Sequence, residues 1–477
     1  MQWTFVLLDK GVFMVNKKIN VKNVMEPKSI AVIGASKNPS KIGHAILKNM
    51  LISGYIGKLY AVNPSSDEIL GVKCYNSILE IKHKIDCAII SIPAKLVPQA
   101  LEECGKKGIK GAIIISGGFR EVGEVELENQ IVEISEKYGI AVIGPNCLGI
   151  VNVEKHLDSI FLPTYKMKRP QAGKISFITQ SGAVGSTLID LIGESNIGIS
   201  KFISYGNAAV LNEADLIEYL REDKQTEIIV MYVEGVKQGR RFYEELKKTT
   251  LKKPVILLKA GKGTLASKAA ASHTGSLAGD SKVFSSMLKQ AGVIEAQGLE
   301  ELFDISKIFL TRLPKGKNVF VLTNGGGSGV LAVDAIESYK MKLASFDKKT
   351  INKLKKKLPS HVVVGNPFDV TGDSGNDRYR IVLEEAVKEP HIDAIIVITL
   401  FQTAGLNAEV VHDIINASNS TDKPLVAVAA GGAYTKLQLS ILESYGIPTY
   451  ESPTQAVYVL SKAYWYKRKR DMNVRIK

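Results

Sequence analysis

No apolar run in this sequence approaches the roughly 20 residues that cross a bilayer, which excludes a helical membrane span. The segment Phe5-Val6-Leu7-Leu8 follows no basic region and is cut by Asp9-Lys10, so it is not read as a signal peptide. Residues 1–24 are expected to form an N-terminal extension, with Met14 and Met25 as alternative starts. Cysteine is scarce: four among 477 residues, at positions 74, 87, 104 and 147, with no C-x-x-C pair. That usage excludes a disulfide framework and a zinc site and fits a reducing, cytoplasmic setting. Cys87, inside an apolar run, is expected to pack as a small hydrophobe. Concentrated charge is also missing, despite a net charge of +14. The one run of four consecutive basic residues, Lys467-Arg468-Lys469-Arg470, is read as a solvated tail over residues 467–477. No nucleic-acid motif accompanies it, so neither nucleic acid nor a membrane is an expected partner.

What the chain does have is length and alternation. Its 477 residues exceed a single core and point to about three domains. Ser29-Ile30-Ala31-Val32-Ile33, Leu59-Tyr60-Ala61-Val62, Cys87-Ala88-Ile89-Ile90, Gly111-Ala112-Ile113-Ile114 and Ala141-Val142-Ile143 are short apolar runs, each closed by a small or polar turn. Helix-period stretches separate them, which predicts an α/β, doubly wound parallel sheet. Two polar, proline-bearing breaks, at 162–173 and 312–317, read as linkers. They divide the chain into domains at 25–160, 172–311 and 317–466.

The second and third domains open alike. Thr179-Gln180-Ser181-Gly182-Ala183-Val184-Gly185 and Thr323-Asn324-Gly325-Gly326-Gly327-Ser328-Gly329 share a pattern at a constant offset of 144 residues, which suggests duplication of one unit. A glycine-rich turn between strand and helix presents backbone N–H groups and the positive end of the helix dipole, an arrangement suited to phosphate; equally, it lets strand and helix pack closely. A dinucleotide site is rejected for the first domain. Gly34-Ala35-Ser36-Lys37-Asn38-Pro39 does not fit G-x-G-x-x-G, and Asn63-Pro64 stands where a ribose-binding acid is wanted. Ligands are still expected at the carboxyl ends of these strands, where Lys37 and Lys41 either meet phosphate or remain solvated. Glu234 ends an apolar run and either orients an imidazole or is an ordinary strand-end acid. Asn366-Pro367-Phe368-Asp369-Val370-Thr371-Gly372 is a polar turn that either joins the same site or only reverses the chain. His273 sits among small residues, Ala269-Ala270-Ala271-Ser272-His273-Thr274-Gly275-Ser276, with no bulky neighbour to pack it. Neutral imidazole is a nucleophile, so the loop reads as a phosphoryl carrier or as a plain polar loop.

In this order the motifs resemble those of the alpha subunits of ADP-forming acetyl-CoA synthetases (NDP-forming acyl-CoA ligases), relatives of succinyl-CoA synthetase. The resemblance covers about residues 27–460. It rests on V-I-G-A-S-x-N-P-x-K-I-G at 32–43, V-N-P at 62–64, S-G-G-F at 116–119, G-P-N-C-L-G at 144–149, T-Q-S-G-A-V-G at 179–185, E-G at 234–235, S-H-T-G-S-L-A-G at 272–279 and N-P-F-D at 366–369. It implies a Rossmann-like CoA-binding domain followed by two flavodoxin-like domains of the succinyl-CoA synthetase type. Gly34, Ser36, Asn38, Pro64, Pro93, Ser116, Gly117 and Asn146 fall on the family's CoA-lining turns. His273 falls on the phosphorylated histidine and Glu234 on its acidic partner. Ser181, Gly182, Gly327, Ser328 and Gly329 fall on the turns that hold the phosphoryl group. The chain departs from the pattern after V-N-P, where Ser65-Ser66 replace an expected basic residue.

The resemblance further implies a carbon–sulfur ligase: acyl-CoA + ADP + phosphate ⇌ carboxylate + CoA + ATP, with acetyl the default acyl group. The ATP-grasp nucleotide domain of the family is not seen in this sequence. A separate ATP-grasp beta subunit is therefore an expected partner, in a heterotetramer of two alpha and two beta subunits. Mg2+ is expected with the nucleotide, mainly on that partner. The alternatives are a non-catalytic CoA-binding or CoA-sensing subunit and an NAD-binding oxidoreductase, the latter weakened by the first turn and Asn63.

Overall fold

The computed structural model of the chain describes residues 4–8, 11–15, 19–263 and 280–475. His273 and its loop, at 264–279, lie outside the described residues. Thr4–Leu8 and Gly11–Val15 pair as an antiparallel hairpin. The described parts fall into two compact units: one runs through Glu194 and resumes over Gly198–Glu295, and the other is Ser195–Ile197 with Ala296–Lys477.

The first unit holds two parallel sheets. Ser29–Ile33, Cys87–Ile90, Gly111–Ile114, Ala141–Ile143 and Ile199–Ser204 are buried along their whole length, as strands covered on both faces must be. In the first sheet the parallel strands lie in the order Val72–Tyr75, Lys58–Val62, Ser29–Ile33, Cys87–Ile90, Gly111–Ile114, Ala141–Ile143. Numbered along the chain this is 3-2-1-4-5-6, the Rossmann arrangement. Cys87 is fully buried within it and unpaired, as are the other three cysteines. Helix Val97–Lys106 illustrates how the faces are covered. Val97, Ala100, Leu101 and Cys104 recur at helical spacing and are buried in the core shared with Ile33, Ile90 and Ile114. Burying Leu101 contributes about 2 kcal/mol.

The second sheet runs Ile199–Ser204, Ala172–Thr179, Ile228–Val233, Val255–Lys259, Ile294–Ala296. This is the flavodoxin-like order 2-1-3-4-5. Two short strands, Gly149–Asn152 and Leu157–Asp158, extend it antiparallel beyond Ile199–Ser204. These residues, assigned by the sequence to the end of the first domain, hydrogen-bond into the second sheet. Gly149, at φ +115°, permits the entry, since a Cβ there would lie 2.6 Å from the Ser159 carbonyl oxygen. The polar segment that follows is pinned rather than loose. Arg169 pairs with the buried Asp158 at 2.7 Å and donates to the Leu162 and Met167 carbonyls at 2.7 and 3.0 Å.

The second unit carries the third sheet: Lys342–Leu343, Asn318–Thr323, Ala394–Ile398, Leu425–Val428, Thr449–Tyr450, again 2-1-3-4-5. Phe368–Asp369 adds to the end of Asn318–Thr323 in parallel register, with Leu322 opposite Phe368. Helix Leu299–Ile308 groups with this unit; its Lys307 donates to the Thr449 carbonyl at 2.8 Å and its Asp304 accepts from Gln455 at 3.1 Å. Residues 467–475, read from sequence as a basic tail, continue the helix Pro453–Arg475. Asp471 lies one helical turn from Lys467 and next to Arg470, 3.4 Å from each, which offsets the crowding of cations there.

Candidate active site

The eight residues matched to CoA-lining turns all fall at the carboxyl ends of five neighbouring strands of the first sheet. Gly34, Ser36 and Asn38 follow Ser29–Ile33; Pro64 follows Lys58–Val62; Pro93 follows Cys87–Ile90; Ser116 and Gly117 follow Gly111–Ile114; Asn146 follows Ala141–Ile143. The sequence reverses its strand order between Ser29–Ile33 and Cys87–Ile90, which is the ligand-binding crevice of such sheets. Gly34, at φ +90°, fits there because a Cβ would lie 2.6 Å from the Ser91 carbonyl oxygen. Gly43 lets the following helix start against the same turn; a Cβ on it would sit 1.9 Å from the Gly34 carbonyl oxygen.

Side chains brace these turns. Asn38 accepts from the Ser40 N–H at 2.9 Å, and Ser36 accepts from the Asn38 N–H at 3.1 Å. Asn63, which replaces the ribose-binding acid, donates to the Ala35 carbonyl at 2.6 Å and accepts from the Ser65 N–H at 2.7 Å. It thereby ties the first two turns together. Ser116 donates to the Ile92 carbonyl at 2.5 Å, linking the next two. Glu121 accepts from the Gly118 and Phe119 N–H groups at 2.5 and 3.2 Å. Burial would raise its carboxyl, but a hydrogen bond from the Asn207 carboxamide, together with these N–H groups, holds it below the usual range. Lys37 and Lys41 are exposed at the rim, and among the described residues neither ammonium has an ion-pair partner.

In the second domain the turn Gln180-Ser181-Gly182 leads into helix Gly182–Glu194. Ser181 Oγ accepts from the Val184 N–H at 3.3 Å, closing the first turn. Among the described residues the Gly182 and Ala183 N–H groups find no acceptor, as expected for the first helical residues. Among the described residues an added Cβ on Gly182 would meet only Leu148, at 3.9 Å. Gln180 Oε1 accepts from the Glu234 and Gly235 N–H groups at 2.8 and 3.0 Å and from the Tyr205 hydroxyl at 3.4 Å. The Glu234 side chain accepts from Tyr232, whose hydroxyl is pushed up to about 12 by burial and by that carboxylate. Lys259 donates to the Glu234 carbonyl at 2.7 Å, and desolvation lowers its pKa. Glu234 is therefore fixed beside the helix start. Its relation to His273 lies outside the described residues.

The third domain repeats this construction. Asn324 Oδ1 accepts from the Leu400 N–H at 2.8 Å and from the buried Tyr379 hydroxyl at 3.0 Å. Thr323 and Thr179 both donate to the carbonyl two residues on, at 3.1 and 2.8 Å. Gly329 and Gly185 both sit where a Cβ would press on that threonine's methyl, at 3.3 and 2.9 Å. Among the described residues nothing lies within 4 Å of an added Cβ on Gly327. Ser328 N–H turns inward to the Gly325 carbonyl at 3.0 Å, which leaves the Gly326 and Gly327 N–H groups leading the helix. Asp369 Oδ2 lies 3.0 Å from the Cβ position of Gly326, so an acid stands beside this helix start. Asn366 is structural: it donates to the Val319 and Ala344 carbonyls, both at 2.8 Å, and accepts from the Val321 N–H. Gln180 and Asn324 were not singled out by sequence, although the T-[QN] step of the repeat carries their signal, an amide in both copies.

Three family models match in succession: CoA binding domain over residues 28–153, Succinyl-CoA ligase like flavodoxin domain over 172–309, and Ligase-CoA domain over 319–473. The chain is 43% identical over 433 residues to Acetate–CoA ligase [ADP-forming] II subunit alpha of Pyrococcus furiosus, covering 90% of this chain and 93% of that protein. It is 44% identical over 458 residues to Acetate–CoA ligase [ADP-forming] of Methanocaldococcus jannaschii, covering 95% of this chain but 64% of that longer protein. The "dinucleotide forming Acetyl-coenzyme A synthetase 1" of Ca. Korarchaeum cryptofilum, solved with phosphate and ADP, superposes with a TM-score of 0.90 at 36% identity, covering 96% of this chain and 98% of that one. The strand-end crevice, the paired amide-braced turns and these matches converge: the chain belongs to the family of ADP-forming acetate–CoA ligases, of the alpha-subunit type.

Proposed function

We propose that this chain is the alpha subunit of an ADP-forming acyl-CoA synthetase, acting on acetyl-CoA by default. The observation that carries this reading is the Gln180 carboxamide, which fastens the strand-end acid Glu234 beside the start of helix Gly182–Glu194. A phosphoryl group held there would meet unpaired N–H groups and the helix dipole together.

Acyl-CoA would bind in the crevice of the first domain. Lys37 and Lys41 supply cationic charge at its rim for the CoA phosphates. Phosphate oxygen attacks the thioester carbonyl, the C–S bond breaks, and CoA leaves as the thiolate, giving an acyl phosphate. A His273 ring nitrogen then attacks phosphorus; the P–O bond breaks and the carboxylate leaves. Glu234 accepts the second ring N–H and fixes the tautomer. Catalysis in this chain is positioning plus stabilisation of phosphoryl charge. The phosphohistidine donates to ADP on a separate ATP-grasp beta subunit, with Mg2+ accompanying the nucleotide there. A cytoplasmic enzyme of two alpha and two beta subunits fits this scheme. No helix among the described residues is long and apolar enough to cross a membrane.

Incubation with the beta subunit and γ-labelled ATP should give acid-labile, base-stable label on the alpha chain, and His273→Ala should abolish it. Label surviving that substitution would overturn the assignment. CoA, and not NAD, should raise the melting temperature of the isolated chain.

A further inference from the structure

The crevice of the first domain and the acid-bearing strand end of the second are joined through one short loop. The loop Tyr205-Gly206-Asn207-Ala208-Ala209, which follows strand Ile199–Ser204, lies backbone to backbone on the turn Gly144-Pro145-Asn146. Asn207 N–H donates to the Pro145 carbonyl at 3.0 Å and Ala209 N–H to the Gly144 carbonyl at 3.1 Å. Gly206, at φ +56°, has its Cβ position 2.3 Å from the Pro145 oxygen, so no larger residue fits this approach. The Asn207 carboxamide then makes three further bonds. Its Nδ2 donates to Glu121 Oε2 at 2.6 Å and to Glu128 Oε2 at 2.9 Å, and its Oδ1 accepts from Asn146 Nδ2 at 3.3 Å. Glu121 is the carboxylate that gathers the Gly118 and Phe119 N–H groups, and both it and Asn146 lie within 3.2 Å of the Cβ position of Gly117. On the other side, Lys237, three residues beyond Glu234, donates to the Ala208 carbonyl at 2.9 Å.

We infer that Asn207 is a positioning residue for the acyl-CoA half of the reaction, holding the Ser116-Gly117-Gly118 and Asn146 turns in register with the Glu234–Lys237 loop. This rests on the CoA reading given above. Only a neutral amide fits the place. It must donate to two carboxylates while accepting from Asn146, and a carboxylate at 207 would add a third negative charge. The charged groups facing it are Glu121 and Glu128; behind them stand Arg120, 3.0 Å from Glu128, Lys237, 3.9 Å from Glu128, and Glu213, which accepts from the Lys237 N–H at 3.2 Å.

The test separates the two half-reactions in the complete alpha–beta enzyme. Asn207→Ala and Asn207→Asp should raise KM for acyl-CoA about tenfold or more, the loss expected for hydrogen bonds to charged groups. Phosphorylation of the alpha chain from ATP, which needs no CoA, should stay within about twofold. Asn207→Asp should recover as pH falls from about 8 to 5.5, because the new carboxyl regains a proton to donate; Asn207→Ala should not. The double variant Asn207→Asp/Glu121→Gln, which exchanges amide and carboxylate at one of the two contacts, should restore part of the KM loss near neutral pH, Glu128 still facing a carboxylate. Equal loss in both half-reactions, an unchanged KM, or failure of both the acid and the exchange rescue would overturn the inference. Failure of the unsubstituted chain to bind CoA would instead remove the underlying reading.

Discussion

Replacing Gln180 with methionine keeps the side chain's length and removes its acceptor oxygen. In the native chain that oxygen holds the Glu234 and Gly235 N–H groups at 2.8 and 3.0 Å, with the Tyr205 hydroxyl at a weaker 3.4 Å. A buried donor left without a partner costs about 1–3 kcal/mol. Gln180 and Glu234 are half-buried, so water can replace part of what is lost, and a total near 2 kcal/mol is expected for the two N–H groups together. That is enough for the turn to leave its present position. A displacement of about 1 Å at a reacting group typically costs 10²-fold in rate. Single-turnover phosphorylation of His273 from acyl-CoA and phosphate, followed by rapid quench, should therefore slow by about that factor in Gln180→Met. Gln180→Glu retains an oxygen at the same reach and should fall less, even with a second negative charge near Glu234. If both variants phosphorylate at the native rate, or if glutamate is as damaging as methionine, the acceptor is not what positions the acid.

Three other substitutions probe the frame. Gly43→Ala would put a methyl 1.9 Å from the Gly34 backbone oxygen, so the helix start must shift; about 1–3 kcal/mol of stability and the CoA-induced rise in melting temperature should be lost, read by thermal unfolding with and without CoA. Arg169→Met strands the buried Asp158 carboxylate and should cost about 3–5 kcal/mol near neutral pH. Burial already holds the Asp158 carboxyl above its usual range, so the folded chain prefers the proton; the defect should shrink as pH falls and deepen as pH rises, in unfolding curves at about pH 5 and 8. Burial pushes Glu213 from 4.5 to about 7. The native chain thus loses stability as pH rises through that window and does not regain it above. Glu213→Gln removes the slope and should be the more stable protein by about 3 kcal/mol at pH 8, with little difference below pH 4.5, by the same measurement.

The strand-end turns were legible because the chain marks them itself. Each apolar run of the first domain stops at a glycine, proline, asparagine or serine, and the parallel order follows from alternation with helices. The repeat at an offset of 144 residues was legible for the same local reason, and its two copies prove to share bonds as well as letters. Long-range pairing left no such mark. Gly149–Asn152 is four residues that could end one domain or begin the next, and only the free edge of Ile199–Ser204 decides. Asn207 belongs to no motif; its role comes from two glutamates about 80 residues earlier, at 121 and 128. Gln180 was inside a recognised motif, yet the letters do not say that its oxygen gathers N–H groups from a neighbouring strand.

The antiparallel strand Gly149–Asn152 also matters for how the chain is made. The first sheet is complete once Ala141–Ile143 has been synthesised, but the next strand, Gly149–Asn152, finds only the two-residue Leu157–Asp158 on one side and must wait about fifty residues for Ile199–Ser204 on the other. At typical ribosome speeds of about 5–20 residues per second, that is roughly 2–10 s during which one edge of a buried-type strand has no neighbour. An open strand edge of this kind is a template for pairing with another nascent chain. Synonymous codon changes that slow translation between residues 152 and 199 should then lower the yield of native protein without altering one residue of it.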